Sequence, residues 1–219
     1  MTLQVCVVPV TPLRQNCTIL MSDTGEAVVV DPGGESSKIL EKLEGFDVQA
    51  ILITHGHLDH AGGAAALKQA LTAKQKKNVP VWGPGKEDAF LLASIEVQAA
   101  AYGIPDLKSI VPDRYLEDGE KLNLLGHIIE VARVPGHTPG HIVFIDREDQ
   151  RAIVGDTLFR GTVGRTDFAY GNTQQLLSSI RQKILSLPEN TLVLSGHGLP
   201  TTVGEEKQSN RFFFSGLSY

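Results

Sequence analysis

Three imidazoles and a carboxylate crowd into Thr54-His55-Gly56-His57-Leu58-Asp59-His60, which puts three of the chain's seven histidines within six residues. Histidine and aspartate at this density are the donor set of a divalent metal, and an ordinary polar loop accounts poorly for them. The apolar, β-branched run 48–53 just before them reads as a buried strand that delivers His55 at its C-terminal end. His55 and His57 are two apart, which in extended chain turns both rings to one side and lets them share an ion. Asp59 and His60 follow a turn, just before a helix expected from about Ala61, so they point elsewhere and can serve a second ion.

Three further apolar runs end in a candidate ligand with glycine immediately before it: Gly136-His137, Gly155-Asp156 and Gly196-His197. Glycine permits the sharp turn that a ligand at a strand end needs. The seven residues divide into His55, His57 and His137 for one ion and Asp59, His60 and His197 for another, with Asp156 bridging. A bridging carboxylate suits two ions ~3.5–4 Å apart that share and acidify a water. Mixed imidazole and carboxylate ligation fits Zn²⁺, and Fe or Mn would also be accommodated. Asp31, where the run 26–31 meets Pro32-Gly33-Gly34, is either a turn aspartate or an outer partner hydrogen-bonded to a ligating imidazole.

The elements that must carry these residues follow from periodicity. Runs 3–10, 17–21 and 26–31 read as an opening β-meander, and 35–45 as a helix with Gly45 as its stop. After the histidine cluster come a helix to about Ala73, a charged turn at 74–78, a short strand 80–82 and a longer helix from Lys86 to Tyr102. Strands resume at 120–125, 127–134, 141–146 and 151–154, followed by a helix at 173–187 and a strand at 191–195. The pattern predicts one α/β domain over 1–219, built from two similar halves at about 1–111 and 112–205, with a tail at 206–219. Phe212, Phe213 and Phe214 in that tail offer an apolar surface for the body or for a second subunit, so a homo-oligomer is compatible with it.

With 219 residues, 42% of them hydrophobic, the chain can bury a large core. A net charge of −5 argues against a general binder of nucleic acid or acidic membrane and leaves a small molecule as the expected partner. The N-terminus has neither a basic region nor a cleavage signature, and no apolar stretch is long enough to span a bilayer, so a cytoplasmic location is expected. Cys6 and Cys17 are expected as free, buried thiols.

Thr-His-x-His-x-Asp-His at 54–60, Pro-Gly-His-Thr-Pro-Gly-His at 135–141, Gly-Asp-Thr-Leu-Phe at 155–159 and Gly-His-Gly at 196–198 together resemble the metallo-β-lactamase superfamily. The resemblance covers about residues 3–205. It implies a four-layer αβ/βα sandwich with a dinuclear site at one edge, ligated by the seven residues already grouped. Within the superfamily, residues 161–168 resemble the short relatives of glyoxalase II, the hydroxyacylglutathione hydrolases. This implies hydrolysis of thioesters of the S-lactoylglutathione type, with Asp59 orienting the attacking water and taking up its proton. Lactone hydrolysis and a mononuclear-iron persulfide dioxygenase are the alternatives. The chain departs from full-length glyoxalase II in ending soon after His197, and from most β-lactamases of the superfamily in having Asp156 where they use cysteine. His141 is read as a structural or outer partner and His127 as a plain strand histidine. The loop from Phe159 to Asn172 runs next to Asp156, so Arg165, Phe168 and Tyr170 are candidate substrate contacts, with Arg165 alternatively bracing the loop through Asp167.

Overall fold

The structure is a computed structural model and describes residues 2–213. Five strands, β1 (Gln4–Val10), β2 (Gln15–Met21), β3 (Glu26–Val30), β4 (Asp47–Leu52) and β5 (Val81–Trp82), form one sheet in chain order. The second sheet takes β6 (Lys121–Leu124), β7 (His127–Arg133), β8 (Ile142–Asp146) and β9 (Arg151–Gly155). After a small hairpin of β10 (Leu158–Phe159) and β11 (Thr162–Val163), β12 (Leu192–Ser195) joins it beside β9, and β13 (Thr201–Thr202) closes its edge. Each sheet begins as an antiparallel meander and then turns to parallel pairing, β3 with β4 and β4 with β5 in one, β9 with β12 in the other, where β13 adds an antiparallel edge.

The alternating burial of these strands builds the layers. Along β3, Val28 and Val30 face the second sheet while Ala27 and Val29 face the opposite way. Leu20 and Leu52 join Val28 against Ile129, Phe144 and Ile153 in the core between the sheets. On the outer side of the first sheet pack α1 (Ser36–Lys42) and α3 (Ala64–Gln75), together with α4 (Ala89–Ala93) and α5 (Ile95–Tyr102), through Ile39, Leu67, Leu71, Leu92 and Ile95. On the outer side of the second, α6 (Thr173–Lys183) and α7 (Val203–Ser209) contribute Leu176, Ile180 and Val203. The result is the expected four-layer αβ/βα sandwich of the metallo-β-lactamase fold. Among the described residues no helix is long and apolar enough to cross a membrane.

Several expected boundaries shift for identifiable reasons. The histidine cluster itself contains one helical turn, α2 (Leu58–Ala61), and the next helix begins only at Ala64. Gly62 and Gly63 separate the two because the chain there runs against Pro32, Gly34 and Leu107 with no room for a Cβ. The helix expected over Lys86–Tyr102 breaks at Ser94, whose backbone N–H and hydroxyl both donate to the Leu91 carbonyl and end the first turn. The helix expected over 173–187 stops at Lys183, although Leu185 and Leu187 remain buried ahead of Pro188. The boundary at 205 falls inside α7, whose start carries a capping box between Thr202 and Glu205. Phe213 packs on the α6 side of the second sheet beneath the Arg181 guanidinium, and residues 214–219 of the tail lie outside the described residues. Cys17 is buried as expected, whereas Cys6 is only half-buried, and neither is in a disulfide.

Phe144 is the largest fully buried side chain between the sheets. Phe144→Ala should lower unfolding free energy by ~3–5 kcal/mol, read as a fall in denaturant midpoint.

Candidate metal centre

The candidate ligands gather at one edge of the sandwich, most of them just beyond strand ends. β3 leads into Asp31, β4 into Thr54 and His55, β7 into His137, β9 into Asp156 and β12 into His197, while His57 precedes α2 and Asp59 and His60 lie within it. Backbone hydrogen bonds stitch the halves together there: Ile142 N–H donates to the Thr54 carbonyl at 2.9 Å, Gly85 N–H to the Gly140 carbonyl at 2.9 Å, and Asn16 N–H to the Gly196 carbonyl at 2.7 Å. The glycine before each ligand serves two different needs. Gly136 and Gly155 adopt positive φ, whereas Gly196 does not, and a Cβ on it would come within 2.3 Å of Asp156 Oδ1 and 2.5 Å of His60 Cε1.

All seven sequence-identified donors converge. His57 Nδ1 stands 3.1 Å from His55 Nε2 and 3.0 Å from His137 Nε2. In the second group, His197 Nε2 is 3.1 Å and His60 Nε2 3.9 Å from Asp59 Oδ2. Asp156 lies between the groups, with Oδ1 3.2 Å from His60 Nε2 and Oδ2 3.7 Å from His197 Nε2 and 3.8 Å from His137 Nε2. Within each group of three, the donor atoms all lie within 4.8 Å of one another.

Bonds on the outer side of the His55, His57, His60 and His137 rings fix which nitrogen faces inward. His137 Nδ1–H donates to the Arg165 carbonyl at 2.7 Å, leaving Nε2 as the inward lone pair. The Asp31 carboxylate accepts from Thr54 N–H at 2.7 Å, Thr54 Oγ1–H at 2.6 Å and His60 Nδ1–H at 2.8 Å. With its proton given to Asp31, the Thr54 hydroxyl accepts from His55 Nδ1–H at 3.0 Å. Asp31 therefore orients His60 directly and His55 through Thr54, in line with the outer-partner expectation, and holds its own backbone at φ 53° to do so. His57 Nε2 lies 2.8 Å from the Tyr170 hydroxyl, whose pKa burial raises to about 12.

The chemistry of this set fits divalent cations. Burial, with the surrounding histidines, holds His55 and His57 neutral, pushing His57 down to about 3. His60 is buried as well, yet the carboxylates of Asp156, Asp59 and Asp31 outweigh burial and raise its pKa, the signature of a position that attracts positive charge. His60 Nε2 and Asp156 Oδ1 face each other at 3.2 Å, both buried and with no other hydrogen-bond partner, a pair that an ion between them would satisfy. Two other clusters do not share this character. Asp31 with His55 and His60 is already satisfied by the bonds just described, and His127 with Asp146 and Asp149 holds the Arg151 guanidinium. His127 is thus more than a plain strand histidine, being part of a buried charge network.

His141 is fully buried, stacked on His55 at 4.6 Å, and accepts from Asp156 N–H at 3.1 Å through Nε2. Two supporting residues carried no sequence signal. Asp88, with no exposed surface, accepts from Gly56 N–H at 2.9 Å, Thr138 Oγ1–H at 2.7 Å and Gly140 N–H at 2.6 Å, and burial raises its pKa to about 6. Asn16 Nδ2 donates to the carbonyls of Ser195 at 3.1 Å and Gly198 at 2.9 Å.

The centre opens into a cavity of about 590 Å³ walled by Leu13, Tyr102, Phe159, Val163, Phe168 and Tyr170. A larger cavity of about 920 Å³, between the 11–14 turn and residues 104–107, touches none of the ligands. Arg165 lines the centre's cavity but spends its guanidinium on both oxygens of Asp167, at 2.6 and 2.7 Å, and on the face of Phe168 at 4.6 Å. Phe168 and Tyr170 stack on each other at 5.2 Å, with Phe168 4.9 Å from the His57 ring.

Residues 10–197 match the family model described as the metallo-beta-lactamase superfamily. The chain is 43% identical over 212 residues to hydroxyacylglutathione hydrolase GloC of Haemophilus influenzae, covering 95% of this chain and 97% of that protein. Among solved structures, the BLEG-1 B3 metallo-beta-lactamase superposes with a TM-score of 0.87 at 32% identity, covering 96% of this chain and all of that one. TTHA1623 in a di-iron-bound form does so with 0.84 at 37%, covering 94% and 99%. In sequence and in fold, this chain belongs to the metallo-β-lactamase superfamily.

Proposed function

We propose that this protein is a dinuclear metal-dependent hydrolase of thioesters of the hydroxyacylglutathione class. The observation that carries the reading is the position of Asp156, one carboxylate between two donor sets, with Oδ1 against His60 and Oδ2 within 3.8 Å of both His197 and His137. The identity to GloC over nearly the whole of both chains supports the substrate class. His55, His57 and His137 would hold one ion and Asp59, His60 and His197 the other, zinc being the expected metal, with iron supported by the di-iron relative. Two divalent ions so held would acidify a shared water and polarise the substrate carbonyl.

The chain's own residues supply the rest. Burial would raise the pKa of Asp59, but His60 and the hydrogen bond with His197 lower it, so the carboxylate stays ionised, able to orient a water and take up its proton. The aromatic walls exclude water from the acyl group and hold its apolar part. With Arg165 committed to Asp167, its bracing role is the better supported of the two, and Phe168 and Tyr170 offer ring faces and edges to substrate.

Metal analysis combined with a panel of thioester, lactone, persulfide and β-lactam substrates tests the proposal. Two ions per chain with thioester turnover is expected, and one iron per chain with oxygen uptake on a persulfide would replace it. Asp156→Ala should abolish turnover and lower occupancy at both positions, whereas retention of two ions would remove the bridge. Asp31→Ala should weaken metal affinity ~10–100-fold in chelator competition while the chain stays folded by circular dichroism. Arg165→Ala should lower stability and alter KM equally for anionic and neutral thioesters, and a rise confined to anionic ones would assign the guanidinium to substrate.

A further inference from the structure

We propose that the two ion positions are braced by two separate residues, Asp88 behind the His55, His57 and His137 set and Asn16 behind the Asp59, His60 and His197 set, so that each affinity is set independently. The inference rests on the two-ion reading above. Neither residue is a donor to either ion, and both are positioning residues.

The three groups that donate to Asp88 all flank the first set. Gly56 lies between His55 and His57, Thr138 follows His137, and Gly140 completes the same turn. Packing keeps this contact tight, because a Cβ on Gly56 would come within 2.6 Å of Leu91 Cβ and one on Gly140 within 2.6 Å of Asp88 N. A fully buried carboxylate forming these bonds to two loops locks their separation, and with it the spacing of the three inward nitrogens.

Asn16 does the same for the other set from the first hairpin. Its backbone N–H holds Gly196 and its side-chain amide holds Ser195 and Gly198, so His197 is bracketed on both sides by one residue. The neighbouring Gln15 is buried with Nε2 3.4 Å from His60 Nδ1, which places the same hairpin against a second donor of that ion. Among the described residues, no hydrogen bond of Asp88 reaches the 195–198 turn, and none of Asn16 reaches the 55–57 or 137–140 segments. Asp31 differs from both, since it touches His60 directly and His55 through Thr54 and so acts on both sets.

Single-ion backgrounds make the test specific. His197→Ala removes a ligand of the second set and His137→Ala one of the first. In each background the zinc dissociation constant is measured by competition with a chromophoric chelator, with folding followed by circular dichroism. Asp88→Asn substitutes an amide donor where N–H and O–H groups point, Thr138→Val deletes one of the three bonds, and Asn16→Ala deletes two while keeping the backbone bond. In the His197→Ala background, Asp88→Asn and Thr138→Val should weaken zinc ~10–100-fold and Asn16→Ala should change it less than ~3-fold, with the pattern reversed in the His137→Ala background. Equal effects in both backgrounds, or none in either, overturn the inference. If Asp88→Asn does not fold, Thr138→Val decides the matter, because an unchanged constant there removes the clasp. The ion count of the unsubstituted chain separately decides the two-ion reading: a chain that binds one ion fails that reading whatever the variants do.

Discussion

Seven donors with their lone pairs turned toward one small volume repel one another, and the rest of the structure answers that repulsion. His57 Nδ1 lies about 3 Å from two other imidazole nitrogens, an arrangement no side chain adopts freely. It persists because each ring is held from behind, by the Arg165 carbonyl, by Thr54 and Asp31, or by Tyr170. The strand ends supply the positions of the donors, but these outward bonds supply their directions, which is what ligand geometry requires.

The donors themselves were legible in the sequence because an apolar run that stops abruptly at glycine and then His or Asp is unusual, and it occurs three times beyond the first cluster. Asp31 was legible only in part. Its place after a strand suggested an outer partner, but its link to His55 through Thr54 depends on a hydroxyl adjacent to a ligand, which no spacing rule marks. Asp88 was invisible for a physical reason: in Lys86-Glu87-Asp88 an acidic residue at a helix start is the ordinary complement of the helix dipole. Asn16 reads equally well as a hairpin residue. Both act across 32 or more positions of sequence, and such contacts are created by the packing of the two sheets rather than by local pattern.

The layers were legible for the same reason as the donors, since Val28 and Val30 against Ala27 and Val29 is the alternation of a strand buried on both faces. What the pattern missed are interruptions imposed from outside a segment. Ser94 ends a helix through its own hydroxyl, and Gly62-Gly63 separates α2 from α3 because Pro32 and Gly34 press against it. In the pocket, the spacing of Arg165 and Asp167 left open both a substrate contact and a brace, and the guanidinium meets both oxygens of that aspartate.

Each donor set draws on both halves of the sandwich, His55 and His57 from the end of β4 with His137 from the end of β7, and Asp59 and His60 from α2 with His197 from the end of β12. An ion in either set would therefore act as a tertiary cross-link as well as a reagent. Its binding free energy is then shared with the closure of the two sheets, by mass action, growing with the logarithm of free metal over its dissociation constant. Metal supply in the surroundings and the folded fraction of this protein become linked quantities, and withdrawing metal would act first on the edge where the sheets meet.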